Sequence, residues 1–509
     1  MLNSESLDYR VTLVQPTCQE GVKSLFTQHK NGKEGIGHKP PLAILILGTY
    51  LRSEGFKNVH CLDAQLDNLS PKQTVDRLVE LKPDLVGFTV WTDFWYSAWK
   101  TIELLKEKLP DCKVILGGPH CSVFPKASLE ASAADYVVRG DGEELLLSVV
   151  KSLSSRRPIT EQPGLYQKEN GKVLEPSCDL ATVVDPSKIP FPDRLLLPYQ
   201  RYTSVLSSKD FETTMVTSRG CPHKCNFCKM DVQKVYCRTA EQVVEEFRAI
   251  EELGITDVQI YDDTFTWSKK RILEMCQGLI DANIKVNWAI RDRVKRADPD
   301  IYKLMKKAGC YRIHFGVETG SEPILEATGK ATTLLEAEQA LALAKQEDFA
   351  TMAYYMFGFP DETLEDAQKT IDFSLKLDAD YSLFNIVIPY PGTSLYDLAL
   401  VRGIIPYDFW LDYTENPVPD FKIPHLIEQD LNRTDLINLK NKALWKHYFR
   451  PKRVYKEIRS IKTLKELRRK TNMAFDIFSD IAQPWFGRKP KPGQSPNINT
   501  YRDLQKLSG

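Results

Sequence analysis

The chain alternates strand-like and helix-like segments twice, and a proline-studded stretch separates the two runs. In the first run, short apolar strands at Val11–Val14, Val59–Leu62, Leu85–Val90, Val114–Leu116 and Tyr136–Val138 alternate with helical spacing. The helices read at Pro41–Glu54, Pro71–Leu81, Ser97–Lys108, Lys126–Ala131 and Glu143–Ser152. Such alternation predicts a doubly wound, Rossmann-like parallel sheet over residues 8–152. Residues 153–205, with Pro158, Pro163, Pro176, Pro186, Pro190 and Pro192, read as a linker with a small hairpin at Leu165–Leu174. A second alternation fills 206–400. Its strands read at Thr213–Thr217, Asp257–Tyr261, Lys285–Ile290, Arg312–Val317, Thr351–Phe357 and Tyr381–Ile388. Six β/α units predict a partial, TIM-like (β/α)6 barrel, short of the eight that close a full one. Residues 401–509 read as a helical cap with a loose, Pro-rich tail at Lys489–Gly509. The expected fold class is α/β throughout.

Composition narrows the function classes. Lys+Arg and Asp+Glu are 68 each in 509 residues, so no global attraction to nucleic acid is expected. The polar start, Met1–Arg10, has no signal-peptide core, and no apolar run reaches the ~20 residues needed to span a bilayer. A cytoplasmic location is the expectation. Eleven cysteines in such a chain point to thiols or metal ligands rather than to a disulfide framework.

Three of those cysteines stand together in Gly220-Cys221-Pro222-His223-Lys224-Cys225-Asn226-Phe227-Cys228, directly after the first barrel strand. That position is the C-terminal face, where barrel chemistry sits. Three thiolates on one loop can hold three irons of a [4Fe–4S] cube and leave the fourth iron open. The competing reading is zinc. Zinc in a structural role takes four protein ligands, commonly from paired Cys-x-x-Cys motifs; no second pair follows, and His223 would crowd the loop. Cys276 and Cys310 fall in core settings, and Cys237 reads as a loop thiol. No cysteine follows Cys310, so an auxiliary C-terminal cluster is excluded on ligand count.

The Cys-x-x-x-Cys-x-x-Cys spacing resembles the radical S-adenosylmethionine (radical SAM) superfamily. Further matches end the second, fourth, fifth and sixth barrel strands: Tyr261–Phe265, Phe315–Ser321, Gly358–Thr363 and Pro389–Thr393. The resemblance implies that Cys221, Cys225 and Cys228 ligate the cluster and that the amino and carboxylate groups of SAM chelate its open iron. One electron would then cleave SAM to methionine and a 5′-deoxyadenosyl radical, with flavodoxin or ferredoxin as an electron donor. It further implies Phe227 beside the adenine, Asp262 and Glu318 on the SAM amino group or ribose, and Arg291 on the SAM carboxylate. The plainer alternative for the last three is a strand-end salt bridge.

The first sheet ends its strands in Gln15-Pro16-Thr17, Asp63-Ala64-Gln65, Thr89-Val90-Trp91, Gly117-Gly118-Pro119-His120 and Gly140-Asp141-Gly142-Glu143. Ligands of open parallel sheets bind beyond such ends, and adjacent glycines admit a large ligand close to the backbone. Pro40-Pro41-Leu42, Val114–His120 and Arg139–Glu144 resemble the cobalamin (B12)-binding domain that precedes many radical SAM cores. Thr17, Asp63, Thr89, Gly117, Gly118, Pro119, His120 and Glu143 are the implied cobalamin contacts. The Asp-x-His-x-x-Gly signature is absent, so the lower cobalt face is expected without a protein histidine, and His120 is expected near the nucleotide or in a structural role. The aromatic run Trp91, Phe94, Trp95, Tyr96, Trp99 suits either an interdomain contact or a wall for the corrin or an apolar substrate.

Residues 440–470 hold thirteen Lys/Arg and two acidic residues, interleaved with Trp445, Tyr448, Phe449, Tyr455 and aliphatic side chains. This is either a solvated helix face or a stretch that touches the inner face of a membrane and so favours an amphiphilic substrate. Three functions remain open. The first is a cobalamin-dependent methyltransferase acting on an unactivated carbon of a small or amphiphilic molecule. The second is a radical SAM oxidoreductase or cyclase, since Phe191-Pro192-Asp193-Arg194 and the overall layout also resemble the anaerobic magnesium-protoporphyrin monomethyl ester cyclase and hopanoid-modifying groups. The third is a non-catalytic B12 sensor, against which the intact triplet argues.

Overall fold

The computed structural model describes residues 7–23, 38–203, 211–459 and Thr471. The chain forms two compact units, Met1–Ala443 and Leu444–Gly509. The first unit opens with β1 (Val11–Gln15), α1 (Leu42–Ser53), β2 (Val59–Asp63), α2 (Pro71–Leu81), β3 (Leu85–Thr89), α3 (Trp95–Lys108), β4 (Lys113–Gly117), α4 (Pro119–Val123), α5 (Pro125–Ala131), β5 (Tyr136–Val138) and α6 (Glu143–Ser154). Local signals set these boundaries. A Ser70–Gln73 capping box and Pro71 start α2. The every-residue burial of β1 and β3 follows from helices covering both faces of a parallel sheet.

The sheet order is β2-β1-β3-β4-β5 in parallel, continued antiparallel by β6 (Leu165–Glu169) and β7 (Lys172–Leu174). The hairpin expected in the connecting stretch therefore extends the first sheet. The motif Phe191-Pro192-Asp193-Arg194 also has a structural task. Buried Arg194 pairs with Glu246 at 2.8 Å and donates to the Thr214 carbonyl at 3.0 Å and the Thr213 hydroxyl at 3.1 Å. It thus anchors β8 (Glu212–Met215), the edge strand of the second sheet.

After β8 the chain forms a separate two-stranded sheet from β9 (Ser218–Arg219) and β10 (Tyr236–Cys237), and then α7 (Ala240–Glu252), β11 (Asp257–Ile260), α8 (Lys269–Asp281), β12 (Asn287–Arg293), α9 (Pro299–Lys307), β13 (Cys310–Glu318), α10 (Glu322–Ala327), α11 (Leu334–Gln346), β14 (Ala350–Phe357), α12 (Leu364–Leu377) and β15 (Tyr381–Ile386). The order β8-β11-β12-β13-β14-β15 is sequential and parallel: six strands of a barrel left open between its first and last. Trp288 packs on the outer face against Phe247 of α7, edge to face, and against the tilted ring of Phe265 in a 3-10 turn. The period-2 pleat then turns Arg291 and Arg293 to the inner face. Sequence spacing ended this third barrel strand at Ile290; pairing with β13 carries it on through Arg293. In the charged run Arg291-Asp292-Arg293, only Asp292 faces the helices.

After α13 (Ser394–Val401) and α14 (Phe409–Glu415), α15 (Arg433–Tyr448) leads to the second unit. There α16 (Pro451–Arg459) leaves Val454 and Tyr455 exposed, and Trp445 stacks on Phe449 with centroids 4.5 Å apart. Residues 460–470 of the basic stretch and the tail Lys489–Gly509 lie outside the described residues. Among the described residues no helix is long and apolar enough to cross a membrane.

Candidate active site at the barrel mouth

The cysteine loop is fixed before its first cysteine. Asp262, at the end of β11, accepts from the Thr217 amide at 2.6 Å, the Ser218 amide at 3.1 Å, and the Thr217 and Ser218 hydroxyls at 2.5 and 2.7 Å. Burial raises its pKa, and these donors oppose the rise. Asp263 accepts from the Gly220 amide at 2.9 Å. Gly220 has φ +96°, and a Cβ there would run into the Lys234 carbonyl. The Cys221 amide bonds the Val232 carbonyl at 2.9 Å, and β9 pairs with β10, so the loop is closed at its base. Farther along, Asn226 is held by Thr328, Ala327 and Leu395, which docks the loop on the rim.

Several observations show that the loop suits an iron–sulfur cube. Thr264 donates to the Cys221 sulfur at 3.1 Å and Arg293 to the Cys225 sulfur at 3.6 Å. Burial, then Cys225 and Cys221, push the Cys228 thiol up to about 11, a cost that iron bound to the three thiolates would remove. Burial, then Arg293, Arg296, Lys295 and Lys330, lower the pKa of the His223 imidazole; the same cations suit an anionic thiolate cluster. Among the described residues no three His, Cys, Asp or Glu side chains close on one ion. Ligands to separate irons of a cube need not converge, whereas ligands to one zinc must.

The residues expected around SAM are dispersed in their roles. Phe227 lies edge-on to Phe359, centroids 6.0 Å apart, at the mouth. Asp262 does not offer a free carboxylate, because its four donors use both oxygens. Glu318, at φ +70°, forms a buried pair with Lys330, whose ammonium also reaches the Gly316 carbonyl at 2.7 Å. A Cβ on Gly316 would strike both members of that pair. Arg291 is not at the strand end. It lies one pleat deeper than Arg293, with its guanidinium 3.8 Å from the centroid of the Tyr261 ring. Thr264 lies within the Tyr261–Phe265 match, whereas Arg293 and Lys330 are visible only in the structure; the signal for Arg293 is its period-2 relation to Arg291.

The first sheet carries a cleft at the carboxyl ends of β3, β4 and β5, continuing between sheet and α1. Thr89, Gly117, Gly118 and Glu143 line it. Gly118, at φ +97°, packs against the Val90 backbone too closely for any Cβ, and nothing lies within 4 Å of a Cβ on Gly117. Such a glycine-walled, largely apolar cradle fits a bulky cofactor that meets the backbone directly. Gly87, on the cleft floor, was not singled out; a lone glycine inside an apolar strand was the available signal.

Thr17, Asp63, Pro119 and His120 do not reach this cleft. Thr17 is buried and its hydroxyl accepts from the Gln19 amide. Asp63 accepts from the Tyr202 hydroxyl at 2.8 Å and from the Gln65 and Leu66 amides. Pro119 opens α4. His120 is fully buried, stacked 4.7 Å from Trp95 and beside Phe124, and burial drives its pKa down to about 3. Trp95 is itself buried and donates to the Thr414 carbonyl at 3.1 Å, so this part of the aromatic run packs against α14. Trp91 stays exposed.

Cleft and cysteine loop meet at Arg219. Arg219, two residues before Cys221, lines the cleft, pairs with Glu143, and lies 3.5 Å from Asp141. Gly392, after β15, sits close to both Val123 and Lys229.

Comparison with known proteins gives two family matches: the radical SAM superfamily over residues 215–374 and the B12 binding domain over residues 37–150. An uncharacterized methyltransferase of Pyrococcus horikoshii is 33% identical over 88% of this chain and 94% of its own. The anaerobic magnesium-protoporphyrin IX monomethyl ester cyclase of Rubrivivax gelatinosus is 28% identical over 72% of this chain and 68% of its own. Among solved structures, the cobalamin-dependent S-adenosylmethionine radical enzyme OxsB, with aqua-cobalamin and S-adenosylmethionine bound, has the same fold. Its TM-score is 0.69 at 18% identity, over 99% of this chain and 76% of that one.

Proposed function

Because the chain belongs to the cobalamin-dependent radical SAM enzymes, whose cofactors are a [4Fe–4S] cluster, S-adenosylmethionine and cobalamin, we propose that it methylates an unactivated carbon of a small molecule. When bound, these groups supply the electron, the radical precursor and the methyl carrier. The observation that carries the reading is Arg219, which ties the loop of the cluster thiols to the acidic lip of the cobalamin cleft. Substrate held between cleft and barrel would face both cofactors.

The chain's residues then divide the work. Cys221, Cys225 and Cys228 would hold the cluster, with Thr264 and Arg293 hydrogen bonding their sulfurs. Arg293, at the rim, is better placed than Arg291 to meet the SAM carboxylate. The Glu318–Lys330 pair stiffens the rim beside it, Phe227 offers a ring face to the adenine, and Asp262 is a positioning residue. In the cleft, Gly117 and Gly118 admit the cobalamin, with Thr89 and Glu143 at its edge. We retain the division into a cobalamin domain (8–152), a linker (153–205), a barrel (206–400) and a helical cap (401–509). A cytoplasmic setting, a flavodoxin- or ferredoxin-type donor, and contact of the basic residues 440–470 with a membrane carrying an amphiphilic substrate complete the proposal.

Product analysis with methyl-labelled SAM tests it: label in the product is expected. A second reading, oxidation or cyclisation, is favoured by the 28% identity to the cyclase. It predicts deoxyadenosine with no label transferred, and that outcome would replace methyl transfer.

A further inference from the structure

The inner wall of the barrel holds a cation that the cofactor sites do not use. Arg291 lies in the middle of the sheet, yet it is exposed, and among the described residues it has no carboxylate partner. Other cations that reach this region are engaged: Lys39 is paired with Glu212, and Arg312 donates to His314. The Tyr261 ring supports the face of the Arg291 guanidinium. Stacking leaves the N–H edge free, and that edge is the part that matches two oxygens of a carboxylate or phosphoryl group. Arg291 is therefore held in place by contacts that use none of its donors.

A second donor is reached through the neighbouring strand. Arg291 is the register partner of His314. The Arg312 Nε–H donates to His314 Nε2 at 2.8 Å, and His314 Nδ1 is 2.8 Å from the Tyr354 hydroxyl. Since Arg312 can only donate, Nε2 must be the unprotonated nitrogen and Nδ1 carries the hydrogen. Burial, and then Arg312, Arg291 and Lys39, hold this imidazole neutral. His314 thus donates to the Tyr354 oxygen, and the phenolic hydrogen remains to be given to something else.

We propose that the Arg291 guanidinium, stacked on Tyr261, and the Tyr354 hydroxyl, oriented by His314, bind an anionic oxygen group of the substrate, a carboxylate or a phosphoryl group. The proposal deepens the reading above, because it takes the barrel interior as the substrate chamber. It assigns Arg291 to substrate rather than to SAM. An oxyanion fixed on the wall below the cysteine loop would set which carbon of the substrate faces the mouth.

The test uses anaerobically reconstituted full-length enzyme titrated calorimetrically with benzoate, phenylphosphonate and benzamide. At least one anion is expected to bind ten-fold or more tightly than the neutral amide, and the tighter one identifies the group. Arg291→Gln should erase the preference, Arg291→Lys should keep part of it, and Tyr354→Phe and Tyr261→Leu should each weaken it several-fold. Equal binding of all three probes by the parent enzyme would overturn the proposal. So would an Arg291→Gln enzyme that keeps the preference but loses SAM affinity, which would return the residue to SAM. SAM cleavage measured in the same preparation judges the radical SAM reading separately: an enzyme that cannot cleave SAM yet shows an Arg291-dependent anion preference retains the site and loses that reading.

Discussion

The two halves of the site are built by opposite means. The cleft of the first sheet is shaped by what is missing: Gly117 and Gly118 keep side chains away, and apolar residues of α1 and β3 line the rest. The barrel mouth is shaped by side chains that hold other side chains: Asp262 under Thr217 and Ser218, Lys330 on Glu318, Thr264 and Arg293 on the cysteine sulfurs. The difference follows from the guests. A large preformed cofactor needs room and close backbone, so its site tolerates few charges. A cluster and a charged sulfonium compound need fixed donors and acceptors, each of which must itself be anchored against desolvation. Arg219 is where the two designs touch.

Substitutions can break that contrast. The largest effect is expected at Cys225→Ala, which removes a cluster ligand: cluster absorbance should vanish and deoxyadenosine formation should fall at least about 1000-fold, while cobalamin retention is kept. Deoxyadenosine at the parental rate would show that Cys225 is not a ligand. Next comes Gly117→Leu. Its side chain has free space to enter, so the protein should fold with a full cluster while cobalamin affinity drops about 100-fold, read by corrin absorbance after gel filtration. Loss of the cluster along with cobalamin would mean that the halves are not separable.

Smaller effects sharpen the picture. Asp292, on the helix-facing side of β12, is buried, accepts from Thr266 at 2.6 Å, and has its pKa raised by burial to about 7. A folded-state value above the unfolded one of about 3.9 means that its contribution is full below pH ~4 and is lost as pH rises through 7, a change on the order of 4 kcal/mol. Thermal midpoints should therefore decline between pH 5 and 8, and Asp292→Asn should flatten that decline; an unchanged slope would place the titration elsewhere. The smallest effect is expected at His120→Phe. The ring is enclosed by Trp95 and Phe124 away from the cleft, so the corrin spectrum should not shift; a change at the cobalt bands would bring His120 back to the cofactor.

Chain order alone disclosed the two β/α runs and the cysteine triplet, because each is written in residues a few positions apart, where hydrophobic period and ligand spacing operate. Gly117, Gly118 and Glu143 were legible for the same reason, as strand-end signals. Tertiary structure decided which polar groups remain available. Asp262 and Asp63 look like ligands as letters, yet Thr217, Ser218 and Tyr202 occupy them; Arg291 and Arg293 differ by two positions, and the pairing of β12 with β13 puts one at the rim and the other in the chamber. Those outcomes depend on sheet register and on partners tens to more than a hundred residues apart, and no local pattern encodes them.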